Sequence, residues 1–86
     1  MSSELLRKRA HRALTNALSS TLDIQSDAIR NTDRIVADLG ADSMATLTVL
    51  ILVEEDLNIS IDPDALQIAD ATVAEVCNRL VVYLAP

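Results

Sequence analysis

Ser43 is the residue of this chain best placed to do chemistry. It lies in the run Asp38-Leu39-Gly40-Ala41-Asp42-Ser43-Met44, where an aspartate, a hydroxyl and a turn meet the start of a long apolar segment. Gly40 is the only glycine in the protein and stands three positions before the serine. Glycine reaches positive φ without steric cost, so a sharp turn is expected there. From Met44 to Leu57 no proline or glycine interrupts the chain, and the segment reads as one continuous helix. A serine at its start is exposed and lies in the positive field of the helix N-terminus, where a covalently attached phosphate is favoured. Taken alone, Asp42-Ser43 also reads as an ordinary cap, its oxygens accepting from unpartnered N–H groups. The wider context has to separate the two readings.

Other constellations are poorer. There is no Gly-x-Ser-x-Gly elbow, and His11, the single histidine, falls on a basic first helix far from Ser43 in sequence. A serine hydrolase therefore lacks its parts. Asp56-x-Asn58-x-Ser60-x-Asp62 begins like a calcium loop, but Ile61 stands where that loop needs glycine and Gln67 where it needs glutamate. The lone Cys77 excludes an internal disulfide and a cysteine zinc cluster, and reads as a small buried apolar residue.

Charge is distributed unevenly. The net charge is −6, yet Arg7, Lys8, Arg9 and Arg12 crowd the first helix. Between Arg34 and Arg79 there is no lysine or arginine, while Asp38, Asp42, Glu54, Glu55, Asp56, Asp62, Asp64, Asp70 and Glu75 all fall inside that gap. Such a surface repels nucleic acid and attracts basic protein patches. By itself it could equally be a solvated face that keeps the protein soluble.

The elements that must position Ser43 are helical. Eighty-six residues suit one small domain, expected to span 1–86 and to bury about 60% of the extended chain's surface. The first helix is expected from about Ser3 to Ser20, with Leu6, Ala10, Ala13, Leu14, Ala17 and Leu18 at spacings of three and four. A long connection, Thr21 to Leu39, carries the buried-looking Leu22, Ile24, Ile29, Ile35 and Val36 and delivers the Gly40 turn. The second helix spans about Ser43 to Leu57. A short third helix starts at Asp62-Pro63-Asp64, with aspartate as cap and proline at the first helical position. The last opens on Thr72-Val73-Ala74-Glu75, a capping box, and turns Val73, Val76, Cys77, Leu80 and Leu84 inward. The reading is an all-α, four-helix bundle with a long first loop and a short third helix.

The second helix is more apolar than one buried stripe needs. Thr46, Val49, Leu50, Val53 and Leu57 recur at helical spacing and should face the bundle. Met44, Leu47 and Ile51 lie on a different face, running from beside Ser43 towards Glu54 and Glu55. Either that second set is an exposed patch for binding, or the helix is buried all round. No apolar run has membrane-spanning length, and the basic N-terminus lacks a signal peptide's apolar core. A soluble, cytoplasmic monomer is the expectation.

Nearly the whole chain resembles the acyl carrier protein family, whose attachment pattern Asp-Leu-Gly-x-Asp-Ser-(Leu/Met) stands here without a gap. The resemblance implies a non-catalytic carrier. A phosphopantetheinyl transferase, using coenzyme A and Mg²⁺ only during transfer, joins phosphopantetheine to Ser43. Asp42 matches the family residue that helps order the metal and the transferase. The resemblance further implies that Met44, Leu47, Ile51, Glu54 and Glu55 recognise partners, namely acyl-loading and acyl-processing enzymes with basic docking patches. Fatty-acid carriers usually have acidic residues where this chain has Ala45 and Thr48, which points to a specialised acyl carrier of fatty-acid, lipid or polyketide synthesis. Asp-Ser-Met also occurs in D-alanyl and other aminoacyl carriers, so an aminoacyl cargo is the alternative. A helical interaction module that keeps the fold but remains unmodified is the rival from another class.

Overall fold

The computed structural model describes residues 3–85. Among them four α-helices follow in order: α1 (Ser3–Leu22), α2 (Ser43–Leu57), α3 (Pro63–Leu66) and α4 (Val73–Leu84). The fold is all-α, as the sequence patterns require. The one extended pairing among the described residues is an isolated antiparallel bridge between Arg34 and Thr72.

The helical stripes meet as their spacing predicts. All six apolar positions of α1 named above are buried, and α1 packs against both α2 and α4. α2 buries Thr46, Val49, Leu50, Val53 and Leu57, and α4 buries Val73, Val76, Cys77 and Leu80, whereas Leu84 is only half-buried. The core is aliphatic. Of its buried hydroxyls, Thr15 Oγ1 donates to the His11 carbonyl (2.9 Å) and Thr46 Oγ1 to that of Ser43 (2.9 Å), while the buried Thr21 Oγ1 near the end of α1 has no partner among the described residues. Burial pushes the Cys77 thiol up to about 11, against the pull of Arg7, so it stays protonated and unreactive at neutral pH.

Three of the four helices, α1, α2 and α3, end on a left-handed residue that is not glycine, and α4 ends on the extended Ala85. α1 runs to Leu22, after which Asp23 has φ 56° and the Ile24 N–H returns to the Ser19 carbonyl at 3.2 Å. α2 closes the same way, with Asn58 at φ 54° and the Ile59 N–H on the Glu54 carbonyl at 3.1 Å. Both are the six-to-one bonds of a Schellman motif, which satisfy carbonyls at the helix end.

The long connection is ordered by its own hydrogen bonds. A 3₁₀ turn forms at Ser26–Ala28, and Ile29 and Ile35 are buried as expected. Val36 is not buried; it is 39% exposed. The reason is local: residues 35–39 form one helical turn, so Ile35 and Leu39 share the inner side and Val36 is rotated outward. This segment is stitched to the start of α4 by Ile35 N–H to Ala71 O (3.2 Å), Val73 N–H to Asp33 O (2.9 Å) and Ala74 N–H to Asn31 O (3.0 Å).

Two α4 side chains hold α3 in place. Arg79 Nη1 donates to the Leu66 carbonyl (2.7 Å), and the Asp62 N–H donates to the Tyr83 hydroxyl (3.3 Å). Asp62 caps α3 through the Asp64 N–H at 3.0 Å, with Pro63 at the first helical position.

Candidate functional site

The turn before Ser43 is built by Gly40. The Gly40 N–H donates to the Val36 carbonyl (3.0 Å) and the Ala41 N–H to the Ile35 carbonyl (3.2 Å). The two bonds are nested, spanning four and six residues, and close the helical turn with Gly40 in the left-handed position at φ +77°. Ala41 and Ile35, the residues that the wider bond joins, are both buried in the core. Nothing lies within 4 Å of a Cβ added at Gly40, so its requirement is backbone conformation and not space. Asp38 supports the same turn, its Oδ2 accepting the Arg34 N–H at 2.8 Å. That role is invisible in a motif reading; an aspartate four residues after the N–H it caps is the only signal.

The chain then enters α2. Asp42 is extended, with φ −85° and ψ −177°, and its Oδ1 accepts the Ala45 N–H at 2.7 Å. Its carbonyl takes the Thr46 N–H at 2.9 Å, which starts the helix. Ser43 is the first helical residue and is exposed. Asp42 satisfies one of the early N–H donors, and the positive end of the helix lies against Ser43. Asp42 is therefore a cap in fact; capping leaves it beside the serine and exposed.

Around Ser43 the second apolar set of α2 lies at the surface. Met44 is 80% exposed, Leu47 55% and Ile51 46%. These values decide between the two readings of α2: the helix is not buried all round. Three large apolar side chains on one exposed face make a patch of the kind that marks binding sites. Glu55 is exposed at its far end. Glu54 is half-buried, and its Oε2 accepts the Ile61 N–H at 2.8 Å, which ties the end of α2 to the segment leading into α3. His11, the only histidine, instead meets Asn31 Oδ1 at 3.1 Å. Among the described residues no group of His, Cys, Asp and Glu side chains could hold a metal ion.

A small helical bundle that presents an exposed serine at the first residue of its second helix, next to a capping aspartate and an apolar face, has the form of a carrier domain. The chain belongs to the family defined by the phosphopantetheine attachment site, whose model matches residues 12–80. That span includes the Gly40 turn, all of α2 and α3 and most of α4. Membership implies a covalently attached phosphopantetheine group and a carrier role. Domains of this family are in general non-catalytic and are modified by a phosphopantetheinyl transferase. No curated protein matches the chain. No helix among the described residues is long and apolar enough to cross a membrane.

Proposed function

We propose that the chain is an acyl carrier forming one functional unit, with phosphopantetheine attached at Ser43 and an intermediate of fatty-acid, lipid or polyketide synthesis as its cargo. The observation that supports this best is Ser43 itself, exposed at the positive end of α2, beside Asp42, inside the matched family span. A phosphodiester placed there is favoured by the helix end. Once attached, the arm supplies a terminal thiol that holds the cargo as a thioester.

Each neighbouring residue has a task in this reading. Ser43 Oγ gives up its proton and forms the new P–O bond as the pyrophosphate linkage of coenzyme A breaks and its nucleotide leaves. Asp42 holds the start of α2 and offers its exposed carboxylate to the Mg²⁺ carried by the transferase. Met44, Leu47 and Ile51 form an apolar docking face, and Glu55 with Glu54 gives its end negative charge that steers basic enzyme patches. Tethering raises the cargo's effective concentration at each partner's active site. The protonated, buried Cys77 does not compete with the arm for cargo.

Intact mass after incubation with coenzyme A, Mg²⁺ and a permissive phosphopantetheinyl transferase tests the reading. The expected result is the gain of one phosphopantetheinyl group by the native chain and none by Ser43→Ala. Modification of Ser43→Ala would move the attachment elsewhere. A folded native chain that stays unmodified with several transferases would favour an unmodified interaction module.

A further inference from the structure

The surface has one strongly charged feature that the carrier role does not use. A groove of ≈ 520 Å³ lies between the first half of α1 and the start of α4, lined by Arg7, Lys8, His11 and Arg12 with Ala74 and Cys77. The basic residues follow helical spacing, Arg7 with His11 and Lys8 with Arg12, so they share one side of α1.

This arrangement works against the helix that carries it. Lys8 and Arg12, like charges four residues apart on this face, repel each other. Glu4, four residues before Lys8, offsets this only in part. The only ion pair among the described residues is Arg79 with Glu75, on α4. Arg7 donates to the neutral Asn78 side chain and His11 meets neutral Asn31, while the Lys8 and Arg12 side chains have neither a hydrogen bond nor an ion pair. Glu4 also lines the groove but pairs with none of them. In a protein of net charge −6, a groove lined by three cations and one carboxylate suits an external anionic partner.

We propose that this groove is a docking surface for an acidic segment of a partner protein that carries an apolar side chain. The cations are strung along the helix from Arg7 to Arg12, about 7.5 Å of axis. They do not converge on a point, so they match carboxylates spread along a peptide better than a single phosphate. Ala74 and buried Cys77 give the groove an apolar lining for an anchoring side chain. An extended polyanion or a planar anionic bilayer would also meet residues 35–78, which hold nine acidic and no basic residues. A convex segment confined to the groove avoids that repulsion. The inference does not depend on modification of Ser43.

Titration of the isotopically labelled full chain with a short synthetic glutamate/leucine peptide at low salt tests it. Amide shifts are expected in the first half of α1, at Asn31 and over Ala74–Cys77, with affinity falling as salt screens the charges. Lys8→Glu with Arg12→Glu, both exposed and unpaired, is expected to weaken the peptide about tenfold. The circular dichroism of that variant and its transferase-dependent mass gain should match the native chain, which separates this surface from the carrier site. Absent shifts, or shifts centred on α2, would overturn the proposal. So would inorganic pyrophosphate binding as tightly as the peptide, or anionic vesicles binding through the same residues.

Discussion

The residues that lead into α2 and α4 both bond to Ile35, Ala41 through its N–H and Ala71 through its carbonyl, yet the first turns of the two helices are put to different use. At α4 every local device is spent on the helix. Thr72 Oγ1 accepts the Glu75 N–H (3.2 Å), Glu75 Oε1 accepts the Thr72 N–H (3.0 Å), and Val73, the first helical residue, is fully buried. Glu75 is held below the usual carboxylate range, first by the Thr72 backbone N–H and then by its hydroxyl, with Arg79 and Arg34 adding smaller pulls. At α2 Asp42 caps from one side only, no acid follows in the first turn, and the first two residues are exposed. A helix start closed by its own carboxylate is a structural joint. One left open keeps its positive end for a group added from outside.

Substitution should separate the two starts. Beyond the all-or-none effect on modification expected for Ser43→Ala, the largest contrast is between Val73 and Met44. Val73→Ala removes two buried methyl groups and is expected to cost about 2 kcal/mol in denaturant unfolding. Met44→Ala, at an exposed site, should stay within about 0.5 kcal/mol while slowing transfer between partner enzymes. Equal losses of stability would remove the distinction between joint and open end.

A smaller contrast lies in the caps. Asp42→Ala and Thr72→Ala should each cost about 1 kcal/mol. Only Asp42→Ala should also slow mass gain with the transferase, and the same slowing in Thr72→Ala would mean that the two ends act together. The smallest effect is on pH. Because the folded pKa of Glu75 is lowered, its stabilising contribution is present above the unfolded value near 4.5 and is lost as pH falls through the lower folded value. Glu75→Gln should flatten the acid limb of a stability–pH curve over that window and leave the neutral region unchanged in shape.

These contrasts also show which features were legible beforehand. The capping box and the Asp-Pro helix start were readable because each is a contact within a few residues, set by side-chain chemistry and spacing alone. The α1 stripe and the inner face of α2 were readable because period 3.6 assigns them to one side. Val36 was misread because an apolar residue in a loop has no period; its direction depends on the single turn that Asp38 and Gly40 close. Glu54 reads as one more surface acid, yet its carboxylate holds the Ile61 N–H, a contact seven residues away that no local pattern encodes. Likewise Arg79 and Tyr83 show no sequence sign that they secure α3.

The residues by themselves determined the helical class, the Gly40 turn, the capped start at Asp42-Ser43 and the family resemblance, since all of these rest on short-range chemistry along the chain. Tertiary packing alone decided that Met44, Leu47 and Ile51 remain at the surface, because exposure depends on which faces α1 and the turn at Ile68–Asp70 cover. It also decided that the loop before Ser43 is pinned to the start of α4, and that Arg7, Lys8, His11 and Arg12 line a groove instead of standing free on a helix. Each of these is a relation between segments distant in sequence, and only the folded chain brings them together.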